Sequence, residues 1–536
     1  MEKTERRWES RFLKWFLSLL FISFLFNIGV LVLIHEEPRR GIITFEMLKN
    51  HNFLQPTVLG VPYFKKPPLH EWITSLFSVI SGQVCEFSLR LPSSIAVVLT
   101  SLTIFYGVRR FIGERRALFG ALIYPTFYVV LIGYGSKCEP DTLFSLFVTL
   151  ALFCWFYLFE KGRELPAWLL GYFFTSLALL TKGLPAFQFF YFFVFSYLFL
   201  KQKLRKLFSI SHLIGAFIGL LPFTAWLLAV KTDQAVETLF SEVLARAPGK
   251  VSTSHALKNY LTYPLRFIGA TFPWSLIAIY YWLKKRNWSL PEEGILKVFL
   301  LAFILDWLLY WVFPGSRLRY LMPALPLLAV LLGHYLADYT FIHKRAKEIV
   351  RFTAEVTVPL AIVAGIAVSR NPSLVLKSTL EFIFILYAVY FLFLPRFKIN
   401  FTYAVVLFSV LMLLLRGFYS SYYYPIAQFK YPPVRKVAAE IVKDSRSYPL
   451  FTKTTYLQLC FYVEKGRNAI LKFTTSPPPN ALFLTRRPEG HLLKEYKIGK
   501  HTFYLCSYGI TSLKPQGAPE DQKRRSSSGS GHSRER

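Results

Sequence analysis

Long apolar segments separated by short polar stretches recur along this chain from Phe12 to Leu415. A helix that crosses a bilayer needs about 20 predominantly apolar residues, and most of these segments approach that length. The pattern therefore predicts an α-helical polytopic membrane protein with about thirteen transmembrane helices. These helices are predicted at residues 12–33, 92–108, 117–135, 142–159, 167–181, 184–200, 209–230, 264–283, 297–313, 320–341, 353–369, 377–394 and 400–415.

Beyond residue 416, shorter apolar stretches are mixed with polar residues, which is typical of a small α/β domain. The pattern predicts an amphipathic helix at Val434–Val442 and short strands at Pro449–Phe451, Leu457–Tyr462, Ala481–Thr485 and Thr502–Ser507. The last residues are rich in serine, glycine and charge, and contain too few apolar side chains to fold. We therefore predict a transmembrane domain over residues 1–416, an extracytoplasmic α/β domain over 417–511 and a disordered polar tail over 512–536.

The 536 residues are 54% hydrophobic, yet their formal net charge is +32. Such a charge also occurs in nucleic-acid-binding proteins, but most lysines and arginines here lie in short loops between apolar segments. The positive-inside rule and anionic lipid headgroups account for them, so we expect membrane lipids and no nucleic acid as partners. With a cytoplasmic N-terminus, the basic loops face the cytoplasm. The opposite side then carries residues 35–91, 136–141, 231–263 and 314–319, and everything after residue 416.

Two acidic clusters fall on this opposite side. Glu36 and Glu37 follow the first apolar segment, and Glu139 and Asp141 precede the fourth. Acids are scarce, 31 against 63 lysines and arginines, so two clusters on one face predict carboxylates gathered around one cavity. The alternative is that these acids are interfacial charges solvated by lipid headgroups.

Cations reach the same face from several separate loops. Lys66 precedes the stiff pair Pro67–Pro68, which would hold its ammonium at the interface as a phosphate contact. The alternative is a lysine that extends its charge to the interface beside an amphipathic helix. Lys182 and Arg317 lie between apolar segments on this face, and Arg246 belongs to the long polar segment 231–263.

The residue types predict no metal site. None of the five cysteines forms a CxxC pair, and His255 lacks a metal-ligating partner at helical spacing. Cys460 and Cys506 both belong to the C-terminal domain, and the sequence leaves open whether a disulfide joins them. No cofactor follows from the residues, and a divalent metal stays open.

Five short motifs occur in a fixed order at Glu36–Arg39, Gly60–Pro68, Arg90–Ser93, Leu180–Gly183 and Phe272–Trp274. In order and spacing they resemble the ArnT-like branch of the protein mannosyltransferase superfamily. These proteins are GT-C glycosyltransferases, typified by the aminoarabinose transferase of lipid A. The similarity extends from the first apolar segment through the C-terminal α/β domain. It implies a multi-helix membrane fold whose active site is extracytoplasmic.

The resemblance also implies roles for particular residues. Glu36 and Glu37 match the first acidic motif, which is usually Asp-Glu, and Asp141 matches the second acidic position, with Glu139 as the next candidate. These acids would be catalytic. The matching donor-phosphate contacts are Lys66 and Tyr63, and less closely Arg246 and Tyr320, while Arg39, Lys182 and Arg317 are secondary candidates. Arg40 stands where relatives commonly have tyrosine, and Lys65 where they commonly have an acid, which weakens the case for a metal near that loop.

The function implied by the resemblance is sugar transfer from a polyprenyl-phosphate donor to lipid A or a related envelope glycolipid. The sugar would be aminoarabinose or a related one, and the site would lie on the periplasmic side of the bacterial inner membrane. A protein O-mannosyltransferase-like enzyme is one alternative. A lipid or solute transporter or flippase is the alternative from another class, and it would place charges in mid-membrane, where Asp306 is the clearest isolated acid.

Overall fold

The computed structural model describes residues 16–18, 20–26, 28–230, 233–244, 252–285, 294–337, 416, 419 and 434–512. The chain divides between Pro432 and Pro433 into two compact units. The described part of the first unit is almost entirely helical, and the second unit combines helices with a sheet. The predicted tail from residue 513 onward and the predicted helices at 353–369, 377–394 and 400–415 lie outside the described residues.

The first unit is built from helices joined by short turns. A short apolar helix, Phe16–Leu25, precedes them. They are α1 (Glu37–Asn50), α2 (Leu69–Ile80), α3 (Glu86–Ile112), α4 (Glu114–Thr126), α5 (Asp141–Glu160), α6 (Glu164–Lys182), α7 (Pro185–Leu200), α8 (Ile210–Gly219), α9 (Leu221–Val230), α10 (Asp233–Leu244), α11 (Thr253–Ala270), α12 (Trp274–Lys285), α13 (Gly294–Val312) and α14 (Leu325–Ala337). A two-stranded hairpin, β1 (Thr57–Val58) and β2 (Val61–Pro62), connects α1 to α2.

Five of the described helical segments are long and apolar enough to cross a membrane: α3, α5, α6, α13 and Leu318–Ala337, which contains α14. Helices α8 and α9 make a sixth if they form one span that bends by 44°. Pro222 explains the bend, because it lacks a backbone N–H and its ring crowds the carbonyl four residues earlier. The prediction of a polytopic helical membrane protein is confirmed, and the number of about thirteen helices stays a prediction.

Three of the predicted helices are wrong as continuous elements. The one expected at 12–33 is helical over Phe16–Leu25, and residues 28–30 form turns. The helix expected at 264–283 is interrupted at Thr271–Pro273, between α11 and α12. Pro273 cannot donate a hydrogen bond to the preceding turn, which explains the interruption. The helix expected at 117–135 ends at Thr126, because Phe127 has an extended backbone, and a π-helical turn, Val129–Tyr134, follows.

Close helix packing in the first unit depends on glycine. A Cβ atom added to Gly215 of α8 would lie 2.4 Å from the Cβ of Trp168 and 2.9 Å from the Trp168 carbonyl carbon. Neither atom can move without displacing α6. We therefore expect Gly215→Ala to lower the free energy of unfolding by about 1–3 kcal/mol. Gly269→Ala is the control, because a Cβ added there meets nothing within 4 Å. Thermal unfolding of both variants in detergent checks this, and equal melting temperatures would contradict it.

The described part of the second unit contains a five-stranded mixed sheet and two helices. Its elements are α15 (Val434–Asp444), β3 (Leu450–Thr452), α16 (Leu457–Arg467), β4 (Lys472–Phe473), β5 (Leu482–Thr485), β6 (His491–Ile498) and β7 (His501–Ser507). The strand order is β4-β3-β5-β7-β6. Strand β3 is parallel to both of its neighbours, and β7 is antiparallel to both of its own.

The strand predicted at Leu457–Tyr462 is wrong, because this segment belongs to helix α16. Residues 459–464 are all buried, so their apolar character follows no helical stripe that the sequence could reveal. The helix ends at Asn468, which adopts the left-handed backbone conformation common at helix C-termini. Cys460 and Cys506 are both buried and carry free thiols, so no disulfide joins them.

Candidate active site

A buried arginine holds the first acidic cluster in place. Arg90 donates hydrogen bonds from Nε and Nη2 to the two carboxylate oxygens of Glu37, both at 2.7 Å. Its guanidinium also donates to three carbonyl oxygens of residues 28–32, at 2.8 to 3.1 Å. Burial by itself would raise the pKa of Glu37, but the charge and hydrogen bonds of Arg90 outweigh it and lower this pKa. Both carboxylate oxygens of Glu37 are thus engaged within the protein, and its predicted catalytic role stays a prediction.

The same carboxylate joins the two acidic clusters. The backbone N–H of Cys138 donates to Glu37 Oε1 at 2.9 Å. Ser93 anchors the same loop, because its hydroxyl donates at 2.6 Å to the carbonyl of Lys137. The loop that carries Glu139 and Asp141 therefore packs directly against the loop that carries the first cluster, as the shared face predicted.

Four charged residues at the end of this loop form a buried ion-pair network. Lys182, the last residue of α6, donates from Nζ to Asp141 Oδ1 at 2.5 Å. Arg319 is in close contact with Glu139 and lies 3.9 Å from the other oxygen of Asp141. Asp141 is 2% exposed and Glu139 4%. Two acids face two bases out of contact with solvent, so headgroup solvation does not account for them.

Glu139 is expected to titrate near neutral pH. Burial, reinforced by the charge of Asp141, raises its pKa to about 7 from the ordinary 4.5, although Arg319 opposes this shift. The folded state therefore binds the proton more tightly than the unfolded state, and this stabilisation, complete below the ordinary pKa, is lost as the pH rises through 7.

We therefore expect the melting temperature of the wild type, relative to that of Glu139→Gln, to fall between pH 5 and pH 8. Glutamine keeps the size of the side chain and removes its titration. Thermal unfolding of both proteins at a series of pH values provides the measurement. A constant difference across the range would contradict the shifted pKa.

A second buried ion pair joins Arg40 to Glu71. Arg40 Nη1 donates to Glu71 Oε1 at 2.7 Å, and Nη2 donates to the Tyr63 hydroxyl at 3.3 Å. Burial opposes ionisation of Glu71, but Arg40 and, more weakly, His70 lower its pKa to about 2. Arg40 thus ties α1 to α2 and contacts Tyr63. Glu71 thus gives Arg40 a structural partner within the protein.

The hairpin between α1 and α2 positions the lysine pair. Glu46 on α1 accepts a hydrogen bond from the backbone N–H of Gly60 at 3.1 Å and another from the Thr57 hydroxyl. Gly60 has a φ of +74°, which glycine adopts without strain at this turn. The pair Pro67–Pro68 then leads into α2. Lys66 therefore lies on a segment that is fixed at both ends, and its contact with a phosphate stays a prediction.

A cavity of about 220 Å³ opens beside the ion-pair network. Lys182 Nζ lies 5.0 Å from the ring centre of Tyr320, and Lys66 is near enough for its charge to act on Asp141. Part of the cavity wall is apolar and includes Phe144, Leu309 and Phe313. The charged and polar residues that line the rest are Lys65, Lys66, Lys182, Gln188, Glu242, Tyr310, Ser316 and Tyr320. Cations beside an apolar wall suit a ligand that has an anionic head and a hydrocarbon chain.

The remaining sequence candidates occupy different surroundings. Glu36 pairs with Arg39, and its side chain is 37% exposed, against 1–5% for the other three acids. Arg39 also lies over the Tyr63 ring, 5.7 Å from its centre. Arg317 is exposed, while its neighbour Arg319 makes the carboxylate contacts. Arg246 lies outside the described residues.

Metal binding gains no support from this part of the chain. Among the described residues, no group of three or more His, Cys, Asp or Glu side chains is placed to hold a metal ion. Instead, Glu37, Glu71, Asp141 and Glu139 are paired with Arg90, Arg40, Lys182 and Arg319. These four acids therefore do not fit a divalent-metal site.

Sequence reasoning missed Glu71 and did not rank Arg319 above the other cations of its predicted face. The contact with Glu139 and the greater burial of Arg319 distinguish it from Arg317. Glu71 is an acid in the first turn of an amphipathic helix, where exposure is the usual expectation. Its hydrophobic neighbours Leu69, Trp72 and Ile73 were the one available signal that this turn could be buried.

Sequence comparisons identify the relatives of this chain. The model of the family "Dolichyl-phosphate-mannose-protein mannosyltransferase" matches residues 65–228. An undecaprenyl phosphate-alpha-4-amino-4-deoxy-L-arabinose arabinosyl transferase from Edwardsiella ictaluri is 27% identical over 316 residues, which is 57% of this chain and 55% of that protein. A Pseudomonas fluorescens protein of the same description is 28% identical over 338 residues, 61% of this chain and 60% of that protein. The match thus spans somewhat more than half of each relative.

Structural comparison extends the similarity to nearly the whole chain. The crystal structure of ArnT from Cupriavidus metallidurans bound to undecaprenyl phosphate matches with a TM-score of 0.68 at 16% identity, covering 93% of this chain and 97% of that one. The chain therefore has the fold of this ArnT. The apo structure of the same ArnT gives a TM-score of 0.67. The fold that the motif resemblance implied is confirmed, and the spanning helices make the chain an integral membrane protein.

Proposed function

We propose that this chain is a glycosyltransferase that moves a sugar from a polyprenyl-phosphate donor to lipid A or a related envelope glycolipid. The observation that carries the proposal is the cavity in which Lys66 and Lys182 stand beside an apolar wall, next to the buried Asp141. The named activity of the arabinosyl transferase relatives supports the same reaction, as does the undecaprenyl phosphate bound to the Cupriavidus ArnT.

Transfer needs a leaving group whose charge is stabilised. When the bond between the sugar carbon and the lipid phosphate breaks, negative charge increases on the departing phosphate oxygen. The Lys66 ammonium stabilises that charge, since a fixed cation at the developing charge lowers the barrier. Tyr63 belongs to the same segment, and the side chains of Arg39 and Arg40 lie over its ring. Its hydroxyl would be a second contact to the donor phosphate. Lys182 lines the cavity and binds Asp141, and the reacting sugar would lie beside this pair.

The role of the carboxylates depends on the acceptor. A phosphate monoester is already ionised and needs no general base, so the acids would orient the substrates or stabilise positive character at the sugar carbon. A hydroxyl acceptor would instead have to give up its proton to a carboxylate. Glu36 suits that second task best, because it is the most exposed of the four acids.

We further propose that the site lies on the periplasmic side of the bacterial inner membrane. The ends of α4, α6 and α13 and the starts of α5 and α7 all fall on one side of the helical unit when successive spans alternate in direction. Basic loops follow α3, α5 and α7 at the opposite ends. The positive-inside rule makes that basic side cytoplasmic.

A reconstituted acceptor screen tests the proposed function. Purified protein in liposomes would receive undecaprenyl-phosphate-linked aminoarabinose with either lipid A or acceptor peptides, and polyprenyl-phosphate mannose with the same two acceptors. We expect transfer from aminoarabinose donor to lipid A. Transfer to peptide would favour the mannosyltransferase alternative, and movement of the donor across the bilayer without transfer would favour a flippase.

A further inference from the structure

A second cavity lies at the opposite end of the membrane-spanning helices from the candidate active site. It is a groove of about 600 Å³ between α3, α5 and α6. Its walls are leucines and aromatic side chains, and Arg109 and Arg110 stand at one end of it. None of the residues that line this groove lines the cavity that contains Lys66. The groove is therefore separate from the site already described.

The length of the groove corresponds to one leaflet of a bilayer. Along α3 it extends from Leu99 to Arg110, which is about 16 Å at the rise of an α-helix. The hydrocarbon core of a bilayer is about 30 Å thick, so one leaflet contributes roughly half of that. The arginines, close to the end of α3, then lie at headgroup depth. The groove runs from there toward the bilayer centre, as a phospholipid acyl chain does.

The floor of the groove is set by a glycine. A Cβ atom added to Gly107 of α3 would lie 2.7 Å from the ring of Phe153 on α5. The absence of that atom lets Phe153 pack against the backbone of α3. Leu99, Tyr106 and Leu170 on the rim are each more than 40% exposed, so the groove opens outward to the bilayer. This side is therefore accessible to lipid.

The arginines retain hydrogen-bonding capacity. Arg110 Nη1 donates to the Tyr157 hydroxyl at 2.6 Å, while Arg109 stacks on Tyr106 at 4.6 Å and lies 3.8 Å from Glu114, beyond hydrogen-bond distance. An arginine carries five N–H donors, so both side chains can still bind phosphate oxygens. Lys161, 4.4 Å from the Tyr157 ring centre, adds a third cation at this end. The charge of the groove end complements an anionic headgroup.

We propose that this groove binds an anionic glycerophospholipid of the cytoplasmic leaflet, with its phosphate on Arg109 and Arg110 and one acyl chain against α3 and α5. Basic pockets between transmembrane helices on the cytoplasmic side are suited to such headgroups. The leaflet-length wall fits an acyl chain, whereas a polyprenyl chain is far longer than the groove. The proposal is independent of the sugar-transfer site.

Native mass spectrometry of the full-length protein tests this site. The protein would be titrated with phosphatidylglycerol and with phosphatidylcholine of identical acyl chains. We expect the wild type to retain phosphatidylglycerol preferentially, and the Arg109→Gln/Arg110→Gln variant to lose that preference by roughly tenfold. The matched control is Lys203→Gln/Arg205→Gln, which removes two exposed charges from the same end of the unit, outside the groove.

Two further variants keep the test decisive. Arg110→Gln alone removes the more exposed of the two arginines. If the double variant does not fold, this single variant replaces it in the lipid titration. Leu150→Trp fills the groove with the arginines intact, and should weaken retention of both lipids. Equal retention of the two lipids by the wild type, or an equal loss of preference in the control, would show ordinary annular lipid and overturn the proposal.

Discussion

The Lys66→Ala variant is expected to lose sugar transfer almost completely, by about 100- to 1,000-fold, with its fold intact. Removing a fixed group that stabilises developing negative charge typically has an effect of this size. Lys66 lines the cavity and lies on a segment held by α1 and by Pro67–Pro68, so alanine leaves the backbone in place. Initial rates of transfer with saturating donor in proteoliposomes provide the measurement.

The adjacent lysine is a matched control for this prediction. Lys65 also lines the cavity, but its side chain is 59% exposed and its Nζ lies 3.6 Å from Glu242. An exposed pair of this kind contributes little, so we expect Lys65→Ala to reduce transfer by less than about tenfold. Equal losses in the two variants would indicate a general effect of positive charge, and would remove Lys66 from its proposed role.

The Asp141→Asn variant is expected to lose both transfer and stability. Asparagine leaves the Lys182 ammonium without its partner at 2.5 Å, and breaking a buried pair in this way costs about 3–5 kcal/mol. The loss of activity by itself would therefore not separate a structural role from a functional one. The double variant Asp141→Asn/Lys182→Met removes both charges and should recover most of the stability.

Transfer by the double variant decides the role of the pair. If Asp141 and Lys182 act at the reacting sugar, the double variant will melt near the wild-type temperature and still be inactive. Thermal unfolding and transfer rates measured on the same preparation give both quantities. Activity that returns along with stability would make the pair purely structural.

The architecture of the membrane unit was largely predictable because apolar length alone predicts a spanning helix. The segment predicted at 142–159 forms α5, Asp141–Glu160, and the one predicted at 184–200 forms α7, Pro185–Leu200. One proline barely changes the mean hydropathy of an apolar segment. The interruption of the helix predicted at 264–283 was therefore missed. The helix at 457–467 was missed because complete burial removes the periodicity on which the prediction depends.

Sequence could predict which charged residues share one side of the membrane. It could not predict which of them form ion pairs with each other. Charge counting and alternation of spans brought Glu36, Lys66 and Asp141 to the same side of the membrane. The pairings that determine their roles join residues far apart in sequence: Arg90 and Glu37 are 53 positions apart, and Arg319 and Glu139 are 180. Such partners depend on tertiary packing, which no local pattern records. From sequence, Glu36 and Glu37 were both predicted to be catalytic. In the structure Glu36 is partly exposed, whereas Glu37 is buried and hydrogen-bonded to Arg90.

Mass spectrometry of lipid A tests the central claim most directly. Cells that make the polyprenyl-phosphate sugar donor would express either the wild-type chain or Lys66→Ala at matched levels in the membrane. We predict that lipid A gains the mass of one sugar residue with the wild type, and that this species is absent with Lys66→Ala. Unmodified lipid A in both strains, with folded wild-type protein and donor present, would contradict the account.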